Sequence, residues 1–205
     1  MEKEYQAKTL KYYNESSELF KKDTVNVDFS DIQDKFLTYL EPGSLILDFG
    51  CGSGRDSRYF LNKGFKVDAV DGSEEMVKIA REITGLDVKQ MLFQELNETE
   101  KYDGIFACAS ILHVAYNELP DVFEKMIRAL KNNGILYVSF KYGDFEGEVK
   151  GRYFTYLTKE KFGELISRFK ELKIVEEYVS CDVRPGRADE KWLNVFLRKN
   201  EYGNS

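Results

Sequence analysis

From Ser44 onward the chain repeats one rhythm: a short apolar run, a turn signal, then a stretch with apolar positions at helical spacing. This alternation of βα units predicts an α/β fold, a doubly wound and mostly parallel sheet with helices on both faces. Strands are expected over 45–48, 65–70, 88–93, 102–108 and 135–140, and helices over 56–63, 73–84, 119–130 and 158–169. The end of the chain breaks the rhythm. Residues 173–181 and 191–197 read as strands joined only by DVRPGRADE, too short for a crossover helix, so they should pair as an antiparallel hairpin. If the first of these two strands runs parallel to the others, the loop 182–190 falls at the carboxyl edge of the sheet, where open α/β folds hold their ligands.

Ahead of this pattern, Leu10, Tyr13 and Ser17 share one face of an expected first helix. Ser30 and Gln33 form a capping-box pattern for a second, which should end before Pro42-Gly43. Residues 1–43 are thus read as a helical cap, 44–200 as one continuous domain and 201–205 as a tail. Tyr5, Tyr12 and Tyr13 suit either a lid over a ligand or a helix packed on the domain.

Composition narrows the function classes. A chain of 205 residues with 42% hydrophobic residues buries a substantial core without disulfides or metals. With 30 Lys+Arg against 36 Asp+Glu, no general field draws in a phosphate backbone, so duplex nucleic acid is not the expected partner. Three separated cysteines and one histidine make no metal motif and fit a reduced, cytoplasmic setting. No apolar run approaches the roughly 20 residues of a membrane span, and no h-region follows the first charges. A small-molecule substrate is the expected partner; the oligomeric state is not legible.

The strongest local signal is LILDFGCGSG, at 45–54. Gly50, Gly52 and Gly54 occupy the turn after the first strand, where missing side chains let a ligand touch main chain. The spacing is GxGxG, with Arg55 where a dinucleotide fold wants its third glycine. Asp48, at the strand end, would repel a pyrophosphate and attract an ammonium group, a pair worth roughly 4 kcal/mol of Coulomb energy at about 4 Å before desolvation. Asp71 ends the next strand, near the roughly 20-residue offset of a ribose-binding acid, and an ionised carboxylate accepts both ribose hydroxyls. These features describe a site for an adenosine with a cationic amino-acid tail.

In these residues the chain resembles the class I S-adenosylmethionine-dependent methyltransferases, most densely from Leu45 to about Phe140. GCGSGRDSRYF, ACASILHV and DVRPGR followed by EKWLNV are similar to the small tellurite-resistance-like type. The resemblance implies a Rossmann-like, seven-stranded sheet with a reversed last strand and S-adenosyl-L-methionine as cofactor. It implies that Asp48, Gly50, Gly52 and Gly54 hold the methionine moiety and that Asp71, with Gly72 beside it, holds the ribose. Met76 is placed under the adenine, with Gln94 and Glu95 flanking its amine, although the family's usual Asp-small pair stands here as Gln94-Glu95-Leu96.

For the acceptor side, His113 follows the fourth strand and is the only histidine, the side chain suited to base work near neutral pH. Arg152, Arg184 and Arg187, with Tyr153 and Trp192 interleaved, form either a solvated basic face or an anion-binding lip. The activity implied is methyl transfer by in-line displacement to a small molecule, with an anionic acceptor one option. A nicotinamide-dependent oxidoreductase and a non-catalytic cofactor-binding protein are the competing readings.

Overall fold

A computed structural model describes residues 3–200; the expected tail at 201–205 lies outside the described residues. Three helices come first, α1 (Glu4–Glu15), α2 (Ser17–Thr24) and α3 (Ser30–Leu37). They are followed by β1 (Leu45–Phe49), α4 (Arg55–Asn62), β2 (Lys66–Asp71), α5 (Glu74–Thr84), β3 (Lys89–Gln90), β4 (Tyr102–Ala107), α6 (Leu119–Ala129) and β5 (Leu130–Lys141). The chain closes with β6 (Glu146–Val149), β7 (Arg152–Thr155), α7 (Lys159–Ile166), β8 (Leu172–Cys181) and β9 (Lys191–Lys199).

The main sheet has seven strands in the order β3-β2-β1-β4-β5-β9-β8. β1 runs parallel to both β2 and β4, so the strand order reverses between β1 and β4 and opens a crevice there. β9 is antiparallel to β5 and to β8, which makes β8–β9 the expected hairpin and β9 the reversed strand. Strand alternation sorts the core to two faces. Leu47, Ile105, Leu136 and Val138 pack toward α6 and α7. Ile46, Phe106, Ile135 and Tyr137 pack toward α3, α4 and α5. On that second face Phe106 and Tyr137 stack at 4.6 Å, and Phe36 of α3 and Phe60 of α4 each meet Phe106 edge-on at 5.0 and 5.1 Å. α3 is therefore a layer of the domain, whereas α1 and α2 lie across its carboxyl edge.

Several local expectations are corrected. The first helix breaks at Ser16, whose φ of −111° leaves the helical range. Ser30 is the first residue of α3 and not its cap: Asp28 Oδ1 accepts from Ser30 N at 3.0 Å, and Gln33 donates to Asp56 Oδ1 at 2.6 Å in place of closing a capping box. The strand expected over 88–93 shrinks to Lys89–Gln90, because the chain turns into a 3-10 turn at Phe93–Glu95. The β6–β7 hairpin was not anticipated: Glu-Gly-Glu-Val carries no apolar alternation. Its Lys150-Gly151 turn has both residues left-handed, at φ 50° and 79°, as a type I′ turn requires.

Gly54 shows how tightly the glycine turn is joined to the layer beneath. It caps α4 at φ 82°, and a Cβ there would sit 2.8 Å from Thr84 Cγ2 and 3.3 Å from the Ala80 main chain in α5. Gly54→Ala should destabilise the fold by about 2–4 kcal/mol, from left-handed strain and overpacking together. A urea denaturation midpoint equal to wild type would contradict that packing.

Candidate active site

The crevice at the carboxyl edge is a cavity of about 1660 Å³ counted out to open solvent. Gly50, Gly52, Asp71, Gly72, Met76 and Gln94 line one end of it. His113, Arg152, Arg184, Arg187 and Trp192 line the other. Sequence reasoning therefore placed eleven of its candidates around one space. Asp48, Gly54, Glu95 and Tyr153 do not line it.

At the first end, the turn after β1 is fastened to the end of β2. Gly50 and Cys51 both donate their N–H to the Val70 carbonyl at 2.9 Å. Gly52 donates to Asp71 Oδ2 at 2.9 Å, and Ser73 donates to Asp71 Oδ1 at 2.9 Å. A Cβ at Gly50, where φ is 85°, would collide with Ser110. Burial raises the Asp71 carboxyl pKa, and the two backbone N–H groups pull it back. Each oxygen of Asp71 is engaged once, so each keeps capacity to accept a ligand hydroxyl.

Strand periodicity explains Asp48. Its side chain leaves β1 on the α4 face, where it is 2% exposed and accepts from Ser57 Oγ at 2.5 Å. Burial, and then the charge of Asp56, drive its pKa well up. Arg55 does not reach for a ligand either. It is bidentate on Asp56 (Nε 3.0 Å, Nη2 2.8 Å) and stacks over Phe29 at 4.5 Å. Glu95 folds back to accept from Leu92 N at 2.8 Å, which leaves Gln94 as the member of that pair facing the cavity.

The opposite end is built around His113. Its Nδ1 lies 2.6 Å from the Tyr153 carbonyl, which only accepts, so Nδ1 carries the hydrogen. Nε2 then accepts from Tyr13 Oη at 2.8 Å. Burial, opposed by that carbonyl and reinforced by the charges of Arg152 and Lys141, lowers the imidazole pKa to about 4. Tyr153 contributes its carbonyl here, while its hydroxyl points away to Glu146 Oε1 at 2.8 Å.

The three arginines differ sharply. Arg184 is bidentate on Asp182 (Nε 2.9 Å, Nη2 2.5 Å), which also accepts from Trp192 Nε1 at 3.0 Å and is held at about 2 despite its burial. Arg187 Nη1 is 3.8 Å from Glu190, and Lys141 is paired with the same Glu190. Arg152 has no carboxylate at ion-pair distance among the described residues. Its buried Nε has no hydrogen-bond partner, and its guanidinium lies over Tyr12 at 4.5 Å and Phe154 at 5.0 Å.

Sequence reasoning missed how far α1 enters this site. Tyr5, Thr9, Leu10 and Tyr13 line the cavity. α1 is held at its middle and near its C-terminal end: Thr9 Oγ1 accepts from Tyr153 N at 2.9 Å, and Asn14 Oδ1 accepts from Ser73 Oγ at 2.7 Å. Gln6 donates to Gln94 Oε1 at 3.0 Å at the glycine-turn end of the cavity. The tyrosines of the first segment were the available signal, but the sequence left lid and packed helix equally open.

The comparisons with known proteins agree with this geometry. Residues 46–134 match the family described as the methyltransferase domain. An uncharacterized methyltransferase of Staphylococcus carnosus is 29% identical over 138 residues, 60% of this chain and 67% of its own length. A Bacillus subtilis protein named as the methyltransferase YqeM is 34% identical over 98 residues, 44% of this chain but only 40% of its own length. Among solved structures, 1,6-didemethyltoxoflavin-N1-methyltransferase of Burkholderia thailandensis superposes with a TM-score of 0.77 over 98% of this chain and 91% of its own, at 20% identity. That crystal holds 1,6-didemethyltoxoflavin and S-adenosylhomocysteine. The matching domain and these relatives support an S-adenosylmethionine-dependent methyltransferase, an enzyme with S-adenosylmethionine as its cofactor. These relatives do not single out the tellurite-resistance-like subtype. No helix among the described residues is long and apolar enough to cross a membrane.

The lowered pKa of His113 has a consequence for stability. A base that ionises near 4 when folded and near 6.5 when unfolded leaves the unfolded chain holding more protons between those values, so stability is lost as pH falls through this window. The raised carboxyls of Asp48 and Asp71 act in the opposite sense, and comparison with His113→Gln cancels them. Between about pH 7 and 5 the wild type should lose roughly 1–2 kcal/mol more than His113→Gln in urea unfolding. Parallel curves for the two proteins would show that the ring is solvated.

Proposed function

We propose that this enzyme transfers a methyl group, by in-line displacement, to a small anionic acceptor held by Arg152. Bound S-adenosylmethionine supplies an electrophilic methyl group on a cationic sulfur. Asp71 accepts the ribose hydroxyls, and the main chain at Gly50 and Gly52 lies against the methionine portion. Gly72, Met76 and Gln94 border the adenine. This fits the residues present, because Asp71 keeps free acceptor capacity beside bare main chain. It also fits because Arg55, the cation next to the turn, is spent on Asp56 and leaves no neutralising charge for a pyrophosphate. Asp48 and Gly54 support the turn from below and make no contact of their own with the cavity.

α1 and α2 close the site and exclude water, which strengthens each electrostatic contact inside. Orientation of the two reactants supplies most of the acceleration in such a transfer, since little covalent chemistry falls to the protein. One observation carries the acceptor assignment: the buried Arg152 Nε stands without a partner, whereas Arg55 and Arg184 in the same cavity are each bidentate on an aspartate. A half-buried guanidinium whose Nε is cut off from water loses a hydrogen bond unless a ligand anion completes it.

Calorimetry with S-adenosylhomocysteine and turnover on a panel of small carboxylates separate the two halves of the proposal. Asp71→Ala should weaken S-adenosylhomocysteine about ten- to a hundredfold. Arg152→Ala should leave that affinity within about threefold yet abolish turnover. Unchanged affinity in the first variant removes the ribose assignment, and full turnover in the second removes the acceptor anion.

A further inference from the structure

The geometry points to Tyr13 as the catalytic residue that takes the acceptor's proton, with His113 behind it as proton sink, and to a neutral hydroxyl of an anionic molecule as the acceptor. The inference rests on the methyltransferase reading and names the nucleophile that this site accepts.

The direction of the hydrogen bonds decides the roles. The Tyr153 carbonyl fixes the hydrogen on His113 Nδ1, so Nε2 offers a lone pair and Tyr13 Oη must spend its only proton there. The imidazole thus has no free atom to present to a substrate. Tyr13 lines the cavity, and its Oη, which takes a hydrogen bond from Arg152, keeps one lone pair to accept from a substrate. A proton leaving the substrate has one hydrogen-bonded path, onto Tyr13 Oη as the phenol proton passes to His113 Nε2.

The step balances. The acceptor O–H bond breaks as its oxygen forms the bond to the methyl carbon. The methyl carbon–sulfur bond breaks with its electron pair remaining on sulfur, giving a thioether. The acceptor's proton goes to Tyr13, Tyr13's own proton goes to His113, and the positive charge lost by the sulfonium reappears on the imidazolium.

The groups facing this pair select the class of nucleophile. Arg152 reaches it from β7 and hydrogen-bonds to Tyr13; Lys141 from β5 is paired with Glu190, and Arg184 from the β8–β9 loop with Asp182; Asp71 acts on Tyr13 from the end of β2, and Tyr12 from α1 itself. Among the described residues no carboxylate hydrogen-bonds to Tyr13 or His113, so an ammonium substrate would stand beside Arg152 with no counter-charge from the chain. A base that ionises near 4 cannot deprotonate an ammonium, whose pKa lies above about 7.5. A hydroxyl oxygen becomes strongly acidic as it is alkylated and gives its proton to such a base downhill.

His113 is the only histidine in the chain, so its ring nitrogens can be read directly by NMR of protein labelled with ¹⁵N-histidine. The expected spectrum is the Nδ1–H tautomer, without titration between about pH 5.5 and 8, whose Nε2 resonance moves in Tyr13→Phe. An Nε2–H tautomer, titration near 6.5, or an Nε2 resonance indifferent to Tyr13→Phe overturns the pair. In the same preparations, S-adenosylhomocysteine release is measured with para-hydroxybenzoate, salicylate and glycolate, each against its aminomethyl or amino counterpart. Release should be confined to the hydroxyl members and fall about 100-fold or more in Tyr13→Phe and in His113→Gln, which keeps an acceptor for Tyr13 but cannot take a proton. S-adenosylhomocysteine affinity should stay within about threefold of wild type in both variants. Release from the ammonium members, full rate in either variant, or no release from any member while S-adenosylhomocysteine binds normally overturns the assignment. Failure of wild type to bind S-adenosylhomocysteine would instead strike the underlying methyltransferase reading.

Discussion

The hydrogen bond from Gly52 N–H to the Asp71 carboxylate joins the turn after β1 to the end of β2, and the geometry of the site follows from it. Main chain can be bare and left-handed there only because glycines occupy it and because the Val70 carbonyl and Asp71 hold it from one side. The strand order reverses at the neighbouring β1–β4 boundary, so this pinned turn faces an open crevice and not another crossover. Asp71 serves two purposes at once. Its accepted N–H bonds fix the turn, and its remaining acceptor capacity borders the cavity.

Charge is distributed unequally along that crevice. The glycine-turn end carries a desolvated carboxylate, and the far end a guanidinium with an unsatisfied Nε. Both are costly in the free protein, and the aromatic core at Phe36, Phe60, Phe106 and Tyr137 offsets such costs. Arg184 and Lys141 show the alternative, since each is neutralised by its own acid in the loop that closes the rim. The proposed ligand role of Arg152 rests on this contrast. α1 spans the two ends and hydrogen-bonds to both, through Gln6 and Asn14 at one and Tyr13 at the other.

The βα repeat, the terminal hairpin, the glycine turn and Asp71 were legible because each has a local cause: apolar period, loop length, or a turn residue at the end of a strand. What escaped was tertiary. The alternation of β1 sends Asp48 toward Ser57, a consequence visible once the face occupied by α4 is known. Ser30 looked like a cap, yet Asp28 two residues earlier supplies the accepting oxygen. β6 is too polar to announce itself, and Arg152 stands apart from Arg184 and Arg187 only because no acid reaches it, a fact that no local pattern encodes. His113 was found by residue type, but its partner Tyr13 lies 100 residues away in sequence.

The most direct test is a calorimetric competition on the wild-type protein between S-adenosylhomocysteine and NAD⁺. An Asp71 carboxylate beside bare main chain, with Arg55 already paired, predicts micromolar or tighter binding of S-adenosylhomocysteine and no measurable heat from NAD⁺ at the same concentrations. Tight NAD⁺ binding that excludes S-adenosylhomocysteine would contradict the account.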